Sequence, residues 1–139
     1  MGLILDTSVL IADERGKFDM PGMLRSFPIV QPIIAAITAS ELLHGVERAV
    51  DPIRRAQPER HVEQILASVS VLAFDLAQAR CHAQIWADLE KRGSMIGAHD
   101  LQIAAASLAF AHDLATLNTN EFRRVAGLRL IDASPFRMA

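Results

Sequence analysis

Cysteine is all but missing from this 139-residue chain. The single thiol, Cys81, excludes an internal disulfide, which fits a reducing compartment. Long apolar runs are missing too. "IIAAITA" and "IAAASLAFA" fall well short of the roughly 18 apolar residues that a membrane-spanning helix requires, so both read as core elements. No basic region precedes the short apolar start, and no Ser or Thr stands at position 6, so neither a signal peptide nor a myristoylation signal is expected. An excess of basic charge is also lacking. With a net charge of −2 and a pI near 6.2, the chain is not built to coat nucleic acid by bulk electrostatics. Local patches stay open, at Arg15 with Lys17, Lys91 with Arg92, and Arg123, Arg124 and Arg129, although any one taken alone is more often a solvated charged face. No repeat, linker or low-complexity tract interrupts the chain. The expectation is one domain over residues 1–139, cytoplasmic, with no membrane partner.

What is present is apolar sequence, 51% of the chain, enough for a large core. Residues 2–5 read as a strand and 7–12 as a short helix, followed by a loop, "DERGKFDMPGM". Residues 29–36 read as a buried strand broken by Pro32, and the segment from Thr38, "TASELLHGVERAV", has the apolar spacing of an amphipathic helix whose exit Pro52 and Pro58 bracket. A helix over about 59–67 leads to a strand, "VSVLAF". Residues 75–91 form a long helix, opened by the capping box of Asp75 with Gln78 and ended by Gly93. A further helix over 97–112 and the strands "LATL" and "LRLID" complete the outline. Strands alternating with helices imply an α/β domain with a mainly parallel sheet.

One stretch resists a purely structural reading. "ILDTSVLI" places a carboxylate, Asp6, inside an apolar run and follows it with Thr7 and Ser8. Burying a lone charge is costly, so Asp6 is either a helix cap or one member of a site. Three other acids stand in similar places: Glu41 three residues after Thr38 in "TASE", Asp100 three after Gly97 in "GAHD", and Glu121 three after Asn118 in "NTNE". Singly, each has a local reading, because an acid in a first helical turn satisfies free amides and complements the helix dipole. Together they say more. In an open parallel sheet the carboxyl ends of the strands and the starts of the following helices share one edge, where such folds bind ligands. Helix amino termini are expected to keep all four ionised and mutually repelling. A hard divalent cation relieves that conflict, and oxygen donors without His or Cys partners suit Mg²⁺ or Mn²⁺ rather than zinc.

The segments "LILDTSVLIA", "ITASELLHGVERA", "IGAHDLQIAAASLA" and "LATLNTNEFRRVAGLRLID" resemble, in order, the successive motifs of the PIN domain, and specifically of VapC-type toxins from bacterial toxin–antitoxin pairs. The resemblance runs over nearly the whole chain. It implies a PIN-like three-layer α/β/α sandwich with a central, mainly parallel sheet, and Mg²⁺-dependent endoribonuclease activity in which Mn²⁺ substitutes. The family's acidic quartet falls on Asp6, Glu41, Asp100 and Glu121, as catalytic and metal-holding residues. Thr7, Ser8 and Asn118 match polar positions that support the metal or its waters. Many relatives carry aspartate at the fourth acidic position; the longer arm of Glu121 leaves direct or water-mediated ligation open. The implied chemistry is phosphodiester hydrolysis by a metal-activated water, leaving 5′-phosphate and 3′-hydroxyl ends. Implied partners are an RNA substrate, with tRNA a family-level candidate, a second copy in a homodimer, and a small VapB-like antitoxin through which alone operator DNA is reached.

Arg123 and Arg124, directly after Glu121, are the basic residues expected nearest the RNA. His99 reads as a solvated first-turn histidine, Cys81 as an inert buried thiol, and Ile85 and Trp86 as core. Asp13, Glu14 and Asp19 read as surface charge on the loop, and His44, His61, His82 and His112 have no metal-ligand spacing. A haloacid-dehalogenase phosphatase needs a second aspartate where this chain has Ser8, and a receiver domain needs an acidic pair after the first strand; neither pattern is present. Two alternatives remain: a structure-specific DNA nuclease, whose helical arch and long basic regions are not evident, and a non-catalytic PIN-like RNA-binding module.

Overall fold

Strand side chains alternate between two faces, and in this chain both faces are apolar. The structure, a computed structural model, describes residues 2–28 and 31–139. Five strands, β1 (Gly2–Leu5), β2 (Gln31–Ala35), β3 (Ser70–Leu72), β4 (Asp113–Thr116) and β5 (Leu130–Asp132), pair in parallel throughout, in the order β3-β2-β1-β4-β5. The helices are α1 (Thr7–Glu14), α2 (Met20–Ser26), α3 (Ala36–Glu47), α4 (Pro52–Ser68), α5 (Leu76–Arg92), α6 (Ala98–Ala109) and α7 (Thr119–Phe122). On one face of the sheet Ile4, Ile33 and Leu114 pack with Ile85 and Leu89 of α5, Ile103 of α6 and Phe122 of α7. On the other, Leu3, Leu5, Ile34 and Ala115 pack with Leu10, Met23, Leu42 and Val62 of α1 to α4. The result is the three-layer α/β/α sandwich. From β1 the chain builds outward through β2 and β3, then crosses to β4 on the other side of β1. The crevice at the carboxyl ends of β1 and β4 is therefore the switch point at which such sheets bind ligands.

Several local expectations give way to tertiary contacts. α3 begins at Ala36, so Thr38 is not its cap; Thr38 is fully buried, with its hydroxyl 3.1 Å from that of Thr7. The expected strand 29–36 appears as β2 from Gln31, with Ile29 and Val30 lying outside the described residues. The loop after α1 contains α2. There Asp19 accepts a hydrogen bond from the Gly22 amide at 3.0 Å and Met23 is completely buried, so a segment holding Pro and Gly is helical because it is capped and packed. Pro58 lies inside α4 rather than at a boundary, at the loss of one helical hydrogen bond. The Asp75 cap of α5 is real, accepting from the Gln78 amide at 2.9 Å. The Gln78 side chain, however, donates to the Ala73 carbonyl, which leaves the box half made. α6 ends at Ala109, three residues early. Ile85 is buried, but Trp86 is 48% exposed, edge-on to His82, which is edge-on to Phe74. Cys81 is half-buried against the core, and burial pushes its thiol up. No helix among the described residues is long and apolar enough to cross a membrane.

Candidate functional site

Asp6 follows β1 at the carboxyl edge of the sheet, and its amide donates to the Ala115 carbonyl at 2.9 Å, which ties it to β4. It occupies the capping position of α1, yet its carboxylate makes no capping bond. Oδ2 instead accepts from the Ser8 hydroxyl at 2.6 Å and from the Thr116 hydroxyl at 2.7 Å. Both hydroxyls are held in turn, Ser8 Oγ by the Leu117 amide at 3.1 Å and Thr116 Oγ1 by the Asn118 amide at 2.8 Å. The residue is only 3% exposed, and burial lifts its carboxyl above the ordinary aspartate value in spite of the hydrogen bonds that oppose it. Asp6 thus stands where a cap stands, with its carboxylate buried and held by side-chain hydroxyls.

Of the other acids, Asp100 and Glu121 lie in the first turns of their helices and Glu41 does not. Glu41 lies more than a turn inside α3, where Oε1 accepts from the Thr7 hydroxyl at 2.7 Å and Oε2 lies 3.3 Å from His99 Nδ1. Asp100 is in the first turn of α6 after Gly97, which supplies no side chain. Asn118 does not cap α7; its Nδ2 donates to Glu121 Oε2 at 3.3 Å. Asp100 is where the four meet. Its carboxyl is pushed up to about 8, first by desolvation, then by a hydrogen bond with Glu121 and the negative charges of Asp6, Glu121 and Glu41. Glu121, the more solvated member of that pair, is held low chiefly by the same hydrogen bond. Asp100 is thus the member of the pair pushed toward its protonated form, and Glu121 the member favoured as the carboxylate. This corrects the expectation that helix termini depress all four acids: desolvation raises Asp6 and Asp100, and at Asp100 the neighbouring negative charges add to it.

The donors are hard oxygens, and a cluster that must hold a proton to relieve its own charge is one that a divalent cation would suit. Among the described residues no group of three or more His, Cys, Asp or Glu side chains is arranged to hold a metal ion. A cation here would be gripped by one or two carboxylates with water filling the remaining positions, the habit of Mg²⁺ rather than of zinc.

Thr116 and His99 are members of this cluster that sequence reasoning missed or misread. Thr116 ends the strand beside β1, in register with Asp132 of β5, and a hydroxyl at that strand end was the available signal. His99 is not simply solvated, since it reaches Glu41. Arg124 donates to the Met95 carbonyl at 2.8 Å and is close enough to Glu121 to help lower its carboxyl, while Arg123 does the same for Asp132. Asp13, expected as surface charge, lies 3.3 Å from His61 Nε2, with its carboxyl raised by burial.

The PIN domain family model matches residues 3–128. A relative from Rickettsia bellii, Ribonuclease VapC, is 36% identical over 94% of this chain and 96% of its own length. This chain belongs to the VapC family of PIN domains. A Shigella flexneri relative, tRNA(fMet)-specific endonuclease VapC, is 33% identical over 94% of this chain and 97% of its own. Among solved structures, DNA-bound VapBC from Salmonella typhimurium superposes with a TM-score of 0.84 at 28% identity, covering 95% of this PIN domain and 98% of the compared chain.

Proposed function

We propose that this VapC-family chain is a Mg²⁺-dependent endoribonuclease, the toxin of a type II toxin–antitoxin pair, held in check by a VapB-like antitoxin. One observation carries the reading: the carboxylates of Asp6, just after β1, and of Glu41, Asp100 and Glu121, from α3, α6 and α7, act on one another at the switch point of the sheet, where Asp100 is pushed up to about 8 by desolvation first and by its bond to Glu121 and the neighbouring negative charges after it. The relatives named ribonuclease support RNA as substrate, and the Shigella flexneri relative supports tRNA in particular. The DNA-bound VapBC neighbour supports an antitoxin partner that carries the contact to operator DNA.

When bound, Mg²⁺, or Mn²⁺ in its place, supplies a Lewis acid for the phosphate and a water of lowered pKa. The chain's own residues prepare the place. Asp6 is locked by two hydroxyls, so its remaining oxygen is presented in one direction. Thr7 fixes Glu41, and Asn118 fixes Glu121. The proton that desolvation and the neighbouring charges favour on Asp100 would give way to a cation held here. The hydroxyls of Thr7, Ser8 and Thr116 serve as donors that orient the carboxylates, and in this reading water is the attacking group, leaving 5′-phosphate and 3′-hydroxyl ends.

Incubation of the purified protein with total tRNA in Mg²⁺ or in EDTA tests this. Cleavage in Mg²⁺ alone, lost in Asp6→Asn and only reduced in Glu121→Gln, is the expected result. Cleavage that persists in EDTA, or in an Asp6→Asn preparation free of host ribonuclease, would overturn the metal assignment.

A further inference from the structure

A groove of about 510 Å³ runs along α1 from the carboxylate cluster. Ser8 and Asn118, which hold Asp6 and Glu121, form its inner end, and Arg15, Lys17 and Arg137 line its length. The last segment of the chain delivers Arg137. Phe18 pairs antiparallel with Arg137, and the Met138 amide donates to the Lys17 carbonyl at 2.9 Å. Two remote parts of the sequence are thus bound together so that three exposed cations face one channel.

These cations are unspent. Among the described residues Arg15, Lys17 and Arg137 form no ion pair within 4 Å, whereas Arg55 is paired with Glu47 and Glu59, Arg92 with Asp88, and Arg129 with Asp113. No acid lines the groove. Asp132 stands near enough for Arg123 and Arg137 to help lower its carboxyl, though Ser134 is the main cause. On the other side of α1, a groove of about 480 Å³ carries Glu14 and Glu41 beside Arg15 and Arg48, a mixed charge that suits a polyanion poorly.

We propose that the Arg15–Lys17–Arg137 groove binds the ribose-phosphate backbone of the RNA strand on one side of the scissile phosphate. The proposal rests on the nuclease reading above and adds the path of its substrate. The guanidinium forks of Arg15 and Arg137 match phosphate oxygens bidentately, and Lys17 adds a point charge between them along the chain. Such contacts set the register of the strand without reading its bases. Ser8 and Asn118 mark where that strand reaches the carboxylates.

Fluorescence anisotropy in EDTA, with a fluorescein-labelled oligouridine of about 12 nucleotides as probe, tests the groove without catalysis. The variant Arg15→Gln/Lys17→Gln/Arg137→Gln is compared with Arg54→Gln/Arg60→Gln/Arg80→Gln, which removes equal charge from exposed positions elsewhere. Each phosphate contact contributes about 0.7 to the slope of log affinity against log salt on a single strand. The groove variant is expected to flatten that slope by about 2 and to weaken binding roughly tenfold or more at moderate salt, with the control within about twofold of the unmodified protein. If the groove variant melts early, the three single substitutions decide, each expected to lower the slope by about 0.7. Affinity and slope equal to the control's would overturn the proposal, as would intact oligouridine binding with loss of binding to a VapB-like antitoxin, which would give the groove to a protein. Cleavage in Mg²⁺ is scored separately: its absence would sink the nuclease reading, while selective loss of binding in the groove variant would still place an RNA strand there.

Discussion

Replacing Asp100 by Asn removes the charge on which the other three acids act, and the effect depends on pH in a calculable way. An unfolded aspartate ionises near 3.9, whereas folded Asp100 is pushed up to about 8. Between those values the folded protein holds a proton that the unfolded chain does not. Stability from this group is therefore lost as pH rises, by at most about 1.4 kcal/mol per pH unit. From pH 6 to pH 8 the ceiling is about 2.7 kcal/mol. Asp100 is partly exposed, so water and salt screen its repulsion, and a loss of about 1 kcal/mol is the working figure, or ~3 °C in Tm for a domain of this size. In EDTA the unmodified protein is thus expected to drop about 3 °C further than Asp100→Asn between pH 6 and pH 8. Addition of Mg²⁺ is expected to restore the unmodified protein at pH 8 by up to about 2.7 kcal/mol at a hundredfold excess over Kd, and the variant by much less. Thermal melts followed by far-UV circular dichroism read all of this. Parallel pH profiles for the two proteins, with no Mg²⁺ shift in either, would refute the clustered-carboxylate argument.

Thr116→Val keeps the shape of a fully buried side chain but deprives Asp6 of a donor and the Asn118 amide of an acceptor. It is expected to cost about 1–3 kcal/mol in denaturant melts. Its cleavage rate is expected to fall with little change in KM, because it positions Asp6 and does not touch RNA. Gly93→Ala, at the left-handed C-cap of α5 (φ +63°), is expected to cost about 1 kcal/mol while cleavage stays unchanged, which marks the stability effect that carries no functional loss. Inhibition by a VapB-like antitoxin that reaches the cluster with an arginine is expected to weaken as Mg²⁺ is raised in a cleavage assay, because guanidinium and metal compete for the same oxygens. Inhibition insensitive to Mg²⁺ would point instead to steric occlusion.

That Asp6, Glu41, Asp100 and Glu121 come near one another was legible in the sequence because Asp6 follows a strand, Asp100 and Glu121 open helices and Glu41 lies in the second turn of one, all toward the same edge of a parallel sheet. Their chemistry was less legible. A rule about helix termini predicts depressed values, but burial is a property of the packed sandwich and reverses the sign at Asp6 and Asp100. The same holds for local structure. Thr38 has the look of a cap in "TASE", yet its hydroxyl is spent on Thr7, 31 residues away, and the helix starts at Ala36. "MPGMLRS" has poor helix propensity and is helical because Asp19 caps it and Met23 fills the core. Arg15 with Lys17 could be read as a basic pair, but nothing local to "SPFRMA" indicates that Arg137 joins them, since a bridge between Phe18 and Arg137 brings it there.

The Thr116–Asp6 hydrogen bond joins residues 110 positions apart. Asp6 enters the world early in synthesis, and for most of translation it has neither the strand it will pair with nor the hydroxyl that will orient it. Glu121 and the groove residue Arg137 follow later still. A nascent or truncated chain that stops short of β4 therefore holds Asp6, Glu41 and Asp100 without the framework that aims them. The site is thus assembled when the chain is nearly complete and not residue by residue as it emerges, because the hydroxyl that orients its first acid is among the last parts to be made.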